Sequence, residues 1–244
     1  METKGDEKMS VAYLISIVGI TGSGKSTISK FLKEMIPDSE IIDGDVRKHD
    51  AFAEQRELLG DEWYNPDGTI NTKKLALFPE KYHQWSHVTD PRVSQMIDGD
   101  IEQITAKGKK VIILEWYALT RLKFWNQADL RILMNANKAD RHKRLSARHG
   151  NRFPESFYDT RDERLKADYT QLSVAPDFTF VNEAGFEEIR SYASQVAQYV
   201  ERELIVRLDK SIRGDISLIQ QTNDGIIKCG NPFDTPNDFT TLKK

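Results

Sequence analysis

The sequence is nearly free of cysteine: among 244 residues there is one, Cys229. A single thiol cannot close an intrachain disulfide. That excludes a disulfide-built secreted module and fits a reducing compartment such as the cytoplasm. Long hydrophobic runs are also missing. The longest apolar stretch, Val11 to Ile20, is broken by Ser16 and is about half of what a membrane-spanning helix needs. The opening residues, METKGDEKMS, are polar and mixed in sign, unlike a signal peptide with its apolar centre. Nor is there an excess of positive charge: 35 Lys and Arg stand against 38 Asp and Glu, a net charge of −3. No global basic field attracts nucleic acid, so neither nucleic acid nor a membrane is expected as a partner. Internal repeats and low-complexity tracts are absent. What remains, 39% hydrophobic and 30% charged, is the composition of a globular enzyme long enough to bury its own core.

Short β-branched runs alternate with helical patterns along the chain. Val11–Val18, Glu40–Ile42, Val111–Leu114, Leu130–Met134 and Phe178–Val181 read as strands. Ile28, Phe31, Leu32 and Met35 recur at helical spacing, as do Val93, Met96, Ile97, Ile101 and Ile104. Lys138–His149 reads as a charged helix, and Phe186–Val206 as one with Ile189, Ala193, Val196, Tyr199 and Val200 inward. Strands alternating with helices predict an α/β protein, a mainly parallel five-stranded sheet covered on both faces in three layers. After Arg207 the pattern weakens. Ile216, Leu218 and Ile219 suit a short strand or helix, and Asn231–Asn237 has turn chemistry, so 207–244 is read as an appendage to a domain of residues 1–206.

Residues 19–26, GITGSGKS, match G-x-x-x-x-G-K-[ST] and sit between the first strand and an amphipathic helix, the context this phosphate-binding motif requires. The glycines let backbone amides converge on phosphate oxygens, and the helix N-terminus favours an anion there. Gly19, Thr21, Gly22, Ser23, Gly24, Lys25, Ser26 and Thr27 are therefore the expected nucleotide-binding set. Lys25 would reach the β- and γ-phosphates of ATP, and the Ser26 hydroxyl would ligate Mg²⁺.

Glu40–Asp45 (EIIDGD) brings two carboxylates to the end of the second strand, where open parallel sheets bind ligands. Asp45 is the candidate base for an acceptor hydroxyl, and Asp43 the candidate for holding Mg²⁺ or the acceptor. Both also suit a turn and helix cap. The same tripeptide at Asp98-Gly99-Asp100 falls on the polar face of a helix and reads as solvated surface. Arg47 suits either a substrate phosphate or a surface salt bridge. Glu115, ending the third strand, suits either a metal-bound water or a lid arginine. Arg141, Arg144, Arg148 and Arg152 recur at spacings of 3, 4 and 4, one helical face. Arg144 and Arg148 are expected to stabilise the moving phosphoryl group from a lid at about 138–170, with Arg161 and Arg164 extending the surface. The His83 and His87 pair lacks a third metal ligand. Trp63, Tyr64, Tyr82 and Trp85 read as packing, with one of them open to stacking on a substrate ring.

The strand, GITGSGKST and IIDGD together resemble the dephospho-coenzyme A kinase family, P-loop relatives of nucleoside-monophosphate kinases. The likeness continues through Leu59–Leu75 (LGDEWYNPDGTINTKKL), Asp90-Pro91, VIILE at 111–115, the lid arginines and FTFVNEAG at 178–185. It covers about residues 12–204, with a helical acceptor-side insertion at 46–106. The resemblance implies a three-layer P-loop NTPase fold with a helical lid. It also implies phosphorylation of the ribose 3′-hydroxyl of dephospho-coenzyme A by Mg-ATP, with Asp45 as base. The sequence departs from that family's pattern at four places. Gly19-Ile20 stands for paired glycines, and Trp116-Tyr117-Ala118-Leu119 for a Pro-Leu-Leu segment. Asp90 stands for a histidine, and a lysine before the last strand has no counterpart. These changes fall mostly on the acceptor side. A nucleoside or nucleotide kinase, and a silent nucleotide-binding relative acting through partner contacts, are the rival readings.

Overall fold

The computed structural model describes residues 12–150 and 155–222. The chain divides into two compact units, Met1–Val200 and Glu201–Lys244. In the first, β1 (Tyr13–Gly19), β2 (Ser39–Asp43), β3 (Val111–Glu115), β4 (Leu130–Ala136) and β5 (Phe178–Asn182) form one sheet. Its order is β2-β3-β1-β4-β5, and every pair is parallel. The apolar runs explain the order. Ile15, Ile17 and Val18 of β1 and Val111, Ile113 and Leu114 of β3 are fully buried, as central strands covered on both faces must be. The helices are α1 (Lys25–Met35), α2 (Gly44–Glu54), α3 (Arg56–Leu59), α4 (Thr72–Ala76), α5 (Pro79–Ala106), α6 (Lys123–Gln127), α7 (Lys138–His149), α8 (Glu155–Thr170) and α9 (Phe186–Thr222). The result is the expected α/β/α P-loop architecture.

The topology selects the position of a site. From β1 the chain crosses through α1 to β2 on one side of the sheet. From β3 it crosses past β1 to β4 on the other. Connections therefore diverge between β1 and β3, and the crevice at the carboxyl ends of those strands is the place where such sheets bind ligands. The glycine loop follows β1 there, and Glu115 ends β3 in register with Ile17 of β1 and Asp43 of β2.

The segment after α2 builds a second, smaller core. Phe52, Leu59, Trp63, Tyr64, Ile70, Leu75 and Trp85 are buried together. Trp63 meets Trp85 edge to face at 5.1 Å between centroids, and the Tyr64 hydroxyl donates to the Phe52 carbonyl at 2.5 Å. Of the aromatics open to ring stacking, Trp63, Tyr64 and Trp85 are thus packing residues. Helix α5 starts at Pro79, well before Val93, and continues through Pro91. Proline there removes one helical hydrogen bond. The buried face formed by Trp85, Thr89, Val93 and Ile97 on both sides of it holds the helix together regardless. No helix among the described residues is long and apolar enough to cross a membrane. The described part of the second unit continues α9 to Thr222, with Ile205, Val206 and Leu208 exposed. Cys229 and Asn231–Asn237 lie outside the described residues.

Candidate active site

The loop from Gly19 to Ser26 is closed by glycine geometry. Gly24 caps α1 with φ of 103°, a left-handed conformation that side chains disfavour. A Cβ there would also fall 2.8 Å from Ile189 Cδ1 and 2.9 Å from Asn182 Nδ2. Asn182, 1% exposed at the end of β5, donates through Nδ2 to the Ser23 carbonyl at 3.1 Å and accepts the Gly185 amide at 3.2 Å. It locks the loop to the β5–α9 turn. Its sequence signal, an asparagine in an ordinary turn, did not reveal that role. At the start of α1 the Thr27 and Ile28 amides donate to the Gly24 carbonyl at 3.0 Å, and the helix N-terminus ahead of them suits an anion. Lys25 Nζ donates to the Gly19 and Ile20 carbonyls at 2.9 and 3.3 Å, so the ammonium is already drawn toward the loop backbone. Thr21 and Thr27 are half-buried beside it.

Three carboxylates share the neighbouring strand ends. Asp43 caps α2, its Oδ1 accepting the Asp45 amide at 2.8 Å. Asp45 Oδ1 accepts Lys48 Nζ at 3.1 Å and Trp116 Nε1 at 3.2 Å. Glu115 is 6% exposed, and its Oε2 is buried without a hydrogen-bond partner. Burial pushes the Glu115 carboxyl up to about 7. Asp43 and Asp45 add to the rise, while the charge on Lys25 and a hydrogen bond from Ser26 oppose it. Lys25, Ser26, Asp43 and Asp45 thus all bear on Glu115. The folded state holds the Glu115 proton more tightly than the unfolded chain does. Its contribution to stability is therefore complete at acid pH and lost as pH rises from about 4.5 to about 7. Glu115→Gln should match the wild-type melting point near pH 4.5. Above pH 7, without nucleotide or metal, it should exceed it by about 3 kcal/mol of stability. Equal stabilities across that range in thermal melts would refute this.

The arginine stripe divides into different fates. Arg141 is 1% exposed, ion-paired with Asp162 and within 4.0 Å of Asp159. Its Nη1 lies 3.5 Å from the Thr21 carbonyl. Arg144 Nε donates to the Gly22 carbonyl at 3.2 Å, and Arg148 is exposed. The stripe is not one uniform phosphate-facing surface: its first member is buried between α8 and the loop. Arg164 pairs with Glu80. Arg152 and the side chains of Arg161, His83 and Tyr82 lie outside the described residues. Asp98-Gly99-Asp100 corrects a further expectation. Asp98 pairs with Lys123, and Asp100, only 16% exposed, grips Arg47 at 2.5 and 2.8 Å. Arg47, held also by Asp50, takes the second of its two expected roles, a salt bridge.

Two departures from the family pattern are buried. Asp90 pairs with Arg121 at 3.2 Å, and Trp116, 1% exposed, reaches the Asp45 carboxylate. Among the described residues no group of three or more His, Cys, Asp or Glu could hold a metal ion by itself.

No protein-family model matches the chain. A crystal structure from Thermus thermophilus superposes with a TM-score of 0.56 at 21% identity, covering 77% of this chain and 97% of that one. Thymidylate kinase from Candida albicans does so at 0.52 and 14%, covering 78% and 92%. These likenesses concern the fold alone. Among curated proteins, the dephospho-CoA kinase of Dehalococcoides mccartyi is 29% identical over 197 residues, 75% of this chain and 97% of the relative. That of Carboxydothermus hydrogenoformans is 30% identical over 149 residues, 56% of this chain and 72% of the relative. With a glycine loop, a strand-end acid pair and relatives of one name matched over most of their length, the chain belongs to the dephospho-CoA kinase family.

Proposed function

We propose that the protein transfers the γ-phosphoryl group of ATP to the ribose 3′-hydroxyl of dephospho-CoA. The observation that carries this reading is that Lys25 and Ser26, from the glycine loop, and Asp43 and Asp45, from the neighbouring strand end, all bear on the buried Glu115. In this reading, the N-terminus of α1 and Lys25 bind the phosphates, Lys25 exchanging two loop carbonyls for phosphate oxygens. Arg144 and Arg148 supply positive charge from α7. Asp45 accepts the proton of the acceptor hydroxyl as that oxygen bonds to the γ-phosphorus. The bond from phosphorus to the β–γ bridging oxygen breaks, and ADP leaves. We assign residues 46–106 to the acceptor and 138–170 to a lid that excludes water.

Magnesium fits the same residues. Glu115 Oε2 is a buried acceptor without a partner, next to the Ser26 hydroxyl and opposite Asp43, and hard oxygen donors suit this ion. Ser26, Glu115 and Asp43 would hold it. Bound there, it would offset charge on the β- and γ-phosphates.

A second reading, a nucleotide kinase with another acceptor, is favoured by the buried Asp90–Arg121 pair and by Trp116 on the acceptor side. An acceptor panel read by ADP release separates the two. Dephospho-CoA should give the highest kcat/KM, and Lys25→Met should reduce it by about 10²–10³-fold. Higher kcat/KM with a nucleoside or nucleotide would favour the second reading. Tight ATP binding without acceptor-dependent turnover would overturn both.

A further inference from the structure

Asp45 lies on the first turn of α2 with its side chain 52% exposed. Asp43 from β2 and Glu115 from β3 carry the neighbouring carboxyl groups. Burial does little to hold a carboxylate so exposed. Two side chains, one from past β3 and one from α2 itself, do hold it, and both meet the same oxygen. The Trp116 indole N–H, just past β3, donates to Asp45 Oδ1 at 3.2 Å, and Lys48 Nζ, one turn along α2, donates to it at 3.1 Å.

Both donors are better held than the group they serve. Trp116 is 1% exposed and packs edge to face on Tyr117 at 5.3 Å between centroids. Lys48 is 9% exposed, with its ammonium 5.4 Å from the Tyr117 ring centroid. The start of α2 is shaped to admit the indole, since a methyl group on Gly44 would collide with Trp116 Cβ. An ion pair with one end half in solvent adds little stability, and a buried ammonium is costly to maintain. Two buried donors aimed at one exposed carboxylate oxygen are better accounted for by orientation than by stability.

We propose that Trp116 and Lys48 are positioning residues that fix Asp45 by Oδ1 and so direct its Oδ2 toward the acceptor hydroxyl. This rests on the reading of Asp45 as the base. A proton-accepting oxygen must lie within hydrogen-bond reach of the hydroxyl in the reactive pose, and a carboxylate free to rotate spends most of its time elsewhere.

The test replaces Trp116 with benzothienylalanine, which keeps the bicyclic shape and loses only the N–H, and separately makes Lys48→Met. Each change is combined with Asp45→Ala, with dephospho-CoA as acceptor and residual turnover followed by single-turnover quench of labelled phosphate. In the otherwise native chain each should lower kcat by roughly tenfold. The KM for ATP and the thermal midpoint should not move. In the Asp45→Ala background neither change should lower turnover further. An unaltered kcat in the benzothienylalanine protein, or losses of equal size with and without Asp45, would overturn the proposal while leaving Asp45 as base. Wild-type turnover in Asp45→Ala alone would instead overturn the base assignment.

Discussion

Asp45→Asn should lower kcat for acceptor phosphorylation by roughly 10²–10⁴-fold, the usual worth of a positioned general base, with ATP affinity unchanged. The amide is close to isosteric, and its oxygen can still accept from Trp116 and Lys48, which now meet Asp45 Oδ1 at 3.2 and 3.1 Å. What disappears is the basicity. Asp43→Asn provides the comparison, since it weakens an acid read as holding magnesium and leaves the proton acceptor in place. Asp43 Oδ1 accepts the Asp45 amide at 2.8 Å, and asparagine caps helices about as well as aspartate, so the start of α2 survives that change. A loss in Asp45→Asn that excess magnesium does not restore, beside an Asp43→Asn loss that it does, read as steady-state ADP release with ATP binding followed separately, would locate proton transfer on Asp45. Turnover within about threefold of wild type in Asp45→Asn would remove Asp45 from the mechanism.

Much of this arrangement was legible in the sequence because it depends on local rules. A β-branched run followed by G-x-x-x-x-G-K-S and apolar residues at helical spacing specifies a strand, loop and helix. All five strands fall within about two residues of their sequence positions: β1 and β3, buried on both faces, announce themselves by continuous apolar runs, and the others by short β-branched or aromatic runs. The illegible parts are those set by what packs opposite. Arg141 and Arg148 are equivalent in helical spacing, yet one is buried and the other exposed. The difference is made by Asp159 and Asp162 on α8. That helix is itself hard to read, because its buried Tyr158 and Leu165 are seven residues apart among mixed charges. Asp43-Gly44-Asp45 and Asp98-Gly99-Asp100 are the same tripeptide. Only the topology puts the first at a strand end beside the glycine loop and the second against Arg47. Trp116 registered merely as a departure from a proline-containing pattern. Its value lies in a contact with Asp45, 71 positions away.

The buried pair behind the loop carries the largest expected stability effect. Arg141 and Asp162 side chains are 2% and 5% exposed, and the Arg141 stem lies against Gly22, where an added Cβ would sit 3.0 Å from Arg141 Cγ. Asp162→Ala leaves the guanidinium in place without its carboxylate. Asp159, 4.0 Å away and already bound to Lys138 at 2.7 Å, offsets the charge only in part. An uncompensated buried charge costs about 3–5 kcal/mol. For a chain of this size that corresponds to a fall in Tm of roughly 10 °C. The charge and not the lost volume should dominate, so Arg141→Met combined with Asp162→Leu should recover most of the loss, because apolar replacements of buried ion pairs are often neutral. The double variant also breaks the link from Arg141 Nη1 to the Thr21 carbonyl. Recovered Tm with a raised KM for ATP would show that the pair serves loop geometry beyond its own stability. A Tm for Asp162→Ala within about 2 °C of wild type would mean that Arg141 escapes to solvent when its partner is removed, and that α7 and α8 are not clamped together by this contact.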